Sequence, residues 1–139
     1  MLNNLGFHAT EKVISSGVYF TTIGAPTTKP QTGFADWVQD FPHPWDFMEL
    51  FTSTAGSSLN YGYVNDKHYD SQVNALVAKP PQQVASQWSA LDQYGVSKAY
   101  YAAFGHQEFP KFYSDRIVFS KGVMSVEYQT DLTTLQLER

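Results

Sequence analysis

The sequence predicts an α/β domain, a mixed sheet with flanking helices. Two observations carry that expectation. In the middle of the chain apolar residues recur at helical spacing, at Tyr69, Val73, Leu76 and Val77 and again at Val84, Trp88 and Leu91, the period of a helix with one buried face. In the last third, short β-branched and aromatic runs alternate with polar residues, as Met124, Val126 and Tyr128 do, the two-residue period of a strand. The chain of 139 residues, 42% of them hydrophobic, reads as a single domain over residues 1–139. A chain of that size buries roughly 68% of its unfolded surface, enough for a real core.

The elements follow in order. Gly6 after Leu5 reads as the end of a helix, because glycine readily takes the left-handed conformation beyond a last turn. Residues 7–14 read as a strand, with Phe7, Ala9, Glu11 and Val13 on one side. Ser15 and Ser16 are placed to cap a short helix that runs to Ile23 and stops at Gly24. Gly24 to Gly33, with Pro26, Pro30 and three threonines, is a surface loop. A short strand over 33–38 follows, broken by Phe41-Pro42-His43-Pro44. Residues before proline are pushed to extended geometry, and Pro44 suits the first turn of a new helix with Phe47, Leu50 and Phe51 on one face.

Thr52 to Tyr63 is Gly/Ser-rich and reads as loop. Asp66 is the N-cap of the helix carrying Tyr69, Val73, Leu76 and Val77. Pro80-Pro81 separates it from the helix of Val84, Trp88 and Leu91, with Gly95 as the stop. Strands are expected at 100–104, 116–119, 123–128 and 132–137.

Composition narrows the function classes. The formal charge of −4 and the lack of a basic stripe argue against a nucleic-acid backbone partner. The longest purely apolar run is the six residues from Ala99 to Phe104, too short to span a bilayer. The absence of cysteine excludes disulfides, thiolate catalysis and cysteine-ligated zinc. Met1 to Ser15 lacks a positive region followed by an apolar one and does not read as a signal peptide. Ten Phe, nine Tyr and three Trp against only 16% charged residues resemble a surface-facing binding protein more than a cytosolic enzyme. No phosphate loop, zinc helix, nucleophile elbow or calcium loop occurs, and His8, His43, His68 and His106 have no metal-ligand spacing. No cofactor is expected.

The informative stretch is Trp37-Val38-Gln39-Asp40-Phe41-Pro42-His43-Pro44-Trp45-Asp46-Phe47. It sets a tryptophan and a carboxylate at a strand end before a stiff double-proline turn. Asp40 there is suited to charge-assisted hydrogen bonds from a ligand ammonium or guanidinium, and Trp37 to a flat apolar or cation–π surface beside it. The plainer alternatives are that Asp40 satisfies turn amides ahead of Pro42 and that Trp37 is core. Asp40, Asp46 and Glu49 also invite a reading as hydrolase carboxylates. Against it, Asp46 is accounted for as a first-turn acid on the helix dipole, with Glu49 on the exposed side.

These residues resemble the family 5 extracellular solute-binding proteins, the peptide- and nickel-binding receptors of bacterial ABC importers. The family's Trp-x-x-Asp-aromatic-x-x-Pro segment is matched by Trp37, Asp40, Phe41, Pro42 and Pro44. The similarity continues through Asn60-Tyr61, Tyr63-Val64-Asn65-Asp66 and Tyr69-Asp70, then from Trp88-Ser89-Ala90-Leu91-Asp92 to Phe109-Pro110-Lys111-Phe112-Tyr113-Ser114-Asp115-Arg116. The resemblance implies the C-terminal lobe of a type II periplasmic-binding-protein fold, truncated, with about 116–139 returning to the opposite lobe. It implies capture of an extracellular solute, a peptide above all, without catalysis. Asp40 would pair with the ligand's α-amino group and Trp37 would line the cleft. The implied partners are the ligand and a membrane permease. The implied location is extracellular or periplasmic, on a lipoprotein anchor in the full-length parent. A fragment of this kind is expected to self-associate. A carbohydrate-binding or other aromatic-rich surface-recognition module is the alternative.

Overall fold

The computed structural model describes residues 2–106, 108, 110, 112–118 and 135–138. Its centre is a packed unit of short helices. Helix α1 (Tyr19–Ile23) lies outside that unit, whereas α2 (Trp45–Met48), α3 (Lys67–Val77) and α4 (Ala85–Ser97) build it. Single 3-10 turns cover Leu2–Leu5, Ser16–Val18, Glu49–Phe51 and Pro81–Gln83. The expected mixed sheet is not there: among the described residues no sheet forms, and the only pairing is an isolated antiparallel bridge between Ile117 and Leu137. The α/β assignment is therefore wrong, and the described fold is helical.

The physical reason lies in partners. A strand's ladder groups need a neighbour, and one alternating run stabilises nothing by itself. The 7–14 run is exposed along almost its whole length, with Val13 86% exposed. Its local tie is Asn3, whose side chain exchanges two hydrogen bonds with the backbone of Ala9. The 33–38 and 100–104 segments are likewise irregular. Of the 116–119 and 132–137 expectations only the Ile117–Leu137 contact is described, and the 123–128 strand lies outside the described residues.

The helices fare differently, because each can bury its own stripe. Asp66 caps α3, its Oδ1 accepting from the amides of His68 and Tyr69 at 2.8 and 3.2 Å. Tyr69, Val73 and Leu76 of α3 and Trp88 and Leu91 of α4 form one buried cluster with Val84. Val77, expected on that face, is exposed. Trp45, Met48 and Phe51 close the cluster from the α2 side. Phe47, expected to share the face of Leu50 and Phe51, points outward.

Gly95 does not stop α4, which runs on to Ser97. Its missing side chain serves a close approach: a Cβ there would sit 3.0 Å from Cε1 of Tyr101. The helix ends later in a Schellman turn. Ala99 takes the left-handed conformation at φ 56°, its amide donates to Val96 O, and the Tyr100 amide donates back to Gly95 O at 3.1 Å. That reversal sends Tyr100 to Asp66 and lays Tyr101 along α4.

The tyrosine excess is thereby partly explained as fastening. Tyr94 and Tyr100 both donate to Asp66 Oδ2, at 2.8 and 2.5 Å. These hydroxyls, with the two cap amides, hold the Asp66 carboxyl well below its ordinary range. Tyr101 donates to Asp92 and stacks on Phe51 with ring centroids 4.4 Å apart. Tyr69, fully buried, donates to Met48 O at 3.1 Å, and burial pushes its hydroxyl pKa up.

The 52–63 loop is ordered by one buried side chain. Asn60 donates to Thr52 O and Val64 O and accepts from the Val64 amide. Ser53 ties the same loop to Asp70 of α3. The N-terminal segment meets this unit at α1: Tyr63 donates to Gly24 O at 2.9 Å, and Phe20 packs on Tyr61.

Candidate ligand-binding site

The predicted Trp37 and Asp40 lie on the irregular segment that leads into α2. The turn between them and the helix is locally specified. The His43 amide donates to Phe41 O at 2.8 Å, and the Trp45 amide donates to His43 Nδ1 at 3.0 Å. Accepting at Nδ1 leaves the proton of a neutral His43 ring on Nε2. His43 meets Trp88 edge-on, centroids 5.7 Å apart, which docks the turn on the core. The indole N–H of Trp88 is buried there with no hydrogen-bond partner among the described residues. Phe41 packs beside Trp45 at 5.7 Å.

Asp46 is the first-turn acid of α2 that the sequence assigned, with a duty beyond the helix dipole. It is completely buried, at 0% exposure. Its Oδ1 accepts from the Trp37 indole Nε1 at 3.3 Å, and its Oδ2 accepts from the Asp40 backbone amide at 2.9 Å. One carboxylate thus brings the two predicted site residues together. The duty considered for Asp40, satisfying an amide of its own turn, is performed by Asp46 instead. The Asp40 carboxylate is exposed and accepts no hydrogen bond from the described residues. Trp37 is half-buried and outside the core cluster, so it is not the core tryptophan considered for it.

The electrostatics are one-sided. Glu49, on the turn after α2, has its carboxyl pushed up from 4.5, first by burial and then by the Asp46 and Asp40 charges. Glu49 is half-buried, not on the open face expected for it. No lysine or arginine among the described residues forms an ion pair with this trio. Such an unpaired negative field attracts a cation and fixes where its charge settles. Among the described residues no group of three His, Cys, Asp or Glu has metal-holding geometry. No helix among them is long and apolar enough to cross a membrane.

Two shallow hollows of the described surface lie elsewhere, one along Asn3–Thr10 and one between Ser53 and Asn65. Neither is lined by Trp37, which is half-buried, or by Asp40, which is exposed. For the hydrolase reading, both oxygens of Asp46 are engaged by N–H donors, which leaves Asp40 without a second free carboxylate from that pair. For the carbohydrate reading, Trp45 is committed to the core.

Sequence reasoning missed the burial of Asp46 and its bonds to Trp37 and Asp40. Its only signal was an acid nine residues after a tryptophan, and nothing in local periodicity marks such a residue as buried. It also missed the duty of Asn60, although that residue stood in the run quoted for the resemblance. Comparison with protein-family models, curated proteins and solved structures gives no match to this chain.

Proposed function

We propose that the chain is part of a solute receptor for an ABC importer, presenting one wall of a binding cleft with Asp40 as the acceptor for a ligand ammonium and Trp37 as the surface beside it. The observation that carries this reading is the exposed Asp40 carboxylate, held next to Trp37 on a turn where no cation among the described residues pairs with it. The ordered run of segments resembling the family 5 receptors supports it as well. Support comes from site and sequence order, and not from the fold, whose described residues form no sheet of the kind the resemblance implied. In this reading the ligand is a peptide with a free α-amino group. The location is extracellular or periplasmic on a lipoprotein parent, and the membrane partner is a permease. With a single open wall, affinity is weak, since an enclosing cleft buries far more of a ligand than a surface does.

The test is a calorimetric titration with trialanine and with N-acetyl-trialanine. The expected result is weak binding of the free amine, no binding of the acetylated form, and loss of the difference in Asp40→Asn. Equal binding of both peptides, or a preference that survives Asp40→Asn, contradicts the reading.

A further inference from the structure

We infer that Asp46 is the positioning residue of this site, setting the geometry of Asp40 and Trp37 without touching the ligand. The inference rests on the function proposed above and adds a residue that the resemblance assigns no role. A buried carboxylate is costly unless hydrogen bonds compensate it, and a first-turn acid on α2 would satisfy the helix dipole equally well in solvent. Asp46 is instead wholly buried. Its two oxygens go to the two residues that form the candidate site, the Trp37 indole at 3.3 Å and the Asp40 amide at 2.9 Å. The division of labour is clean. Binding the Asp40 backbone fixes where that residue sits while leaving its own carboxylate free. Binding the indole N–H fixes the edge of the Trp37 ring, so the face left open has a set orientation. The charge of Asp46 also adds to the negative field that an ammonium meets. Pre-organisation of this kind strengthens binding by removing ordering costs from the association step.

The consequence is testable in the full chain with Asp46→Asn, which preserves size but offers one acceptor oxygen where two are used. One site hydrogen bond is lost, so trialanine affinity falls roughly tenfold, the scale of one hydrogen bond to a charged group. In the ¹H–¹⁵N spectrum either the Trp37 indole N–H or the Asp40 amide moves upfield, while the resonances of α3 and α4 stay in place. A merely structural role would lower the melting temperature without changing the preference for free over acetylated peptide. Asp46→Asn that folds and keeps wild-type trialanine affinity overturns the positioning role and leaves the proposed function standing. A wild type without any free-amine preference overturns both. Should Asp46→Asn fail to fold, the wild type decides. Trialanine must shift the Asp40 amide and the Trp37 indole together, because one carboxylate holds both, and a shift of the Asp40 amide alone overturns the inference.

Discussion

The helical unit from α2 to Tyr101 and the segment before it, residues 2–44, are built from similar residue types and behave oppositely. In the first, nearly every helical apolar stripe ends in one cluster around Tyr69 and Trp88. In the second, Ile23 is the only buried hydrophobic, and Phe7, Val13, Val18, Phe20, Phe34 and Val38 are exposed. Hydrophobicity alone does not separate the two. What separates them is whether local structure creates a face with something to pack on. A helix makes its own face, whereas an extended run must be given a neighbour.

That contrast is broken most directly by truncating one residue on each side. Trp88→Ala is expected to cost about 3–5 kcal/mol, the range for removing a large buried aromatic, whereas Phe7→Ser stays within about 0.5 kcal/mol. Urea unfolding of both variants checks the difference, and equal losses would dissolve the division. Gly24→Ala comes next, because it strikes the joint between the regions. A Cβ on Gly24 would lie 2.5 Å from Ser57 O, so the chains must part there at about 1–3 kcal/mol, as for overpacking. Limited proteolysis should then cut within 2–44 sooner, with the fragment from α2 to Tyr101 still resistant.

Much of the helical unit was legible beforehand, and for the same physical reason. The Asp66 cap, the Tyr69–Val73–Leu76 stripe and the Val84–Trp88–Leu91 stripe are local patterns, and each appears where expected. The strands expected within the described residues were not legible, because alternation describes one strand and says nothing of its partner. Gly95 misled because glycine near a helix end usually ends it, while here the left-handed position falls to Ala99 and the glycine makes room for Tyr101. For the candidate site, the double-proline turn that follows Trp37 and Asp40 was legible as a local pattern, and their role as ligand contacts is what the trialanine titration tests. The burial of Asp46 was not legible, since it depends on an indole nine residues away.

Two smaller effects sharpen the account. Ala99→Gly should stabilise the helical unit by about 1 kcal/mol, because a side chain in the left-handed region is strained and glycine is not. Thermal unfolding reads that gain, and a loss would mean that the Schellman turn is not the end of α4. Glu49→Gln tests the negative field by pH. Glu49 has a raised folded-state pKa, so the folded state holds its proton more tightly than the unfolded chain. Stability contributed by that proton is present below the ordinary 4.5 and lost as pH rises through the raised value. Above that window the glutamine variant should be more stable by a few tenths of a kcal/mol, discounted for solvent screening, and indistinguishable below it. The opposite ordering would mean that Glu49 has a cationic neighbour.

The central claim is that the mostly exposed approach to α2, residues 34–42, is held firmly at the Asp40 amide, which donates to Asp46. Native-state hydrogen exchange measures this residue by residue. The Asp40 amide should exchange at least about tenfold more slowly than those of Val38 and Gln39, in line with a charge-assisted hydrogen bond to a buried carboxylate. Exchange of Asp40 as fast as these neighbours would contradict the account.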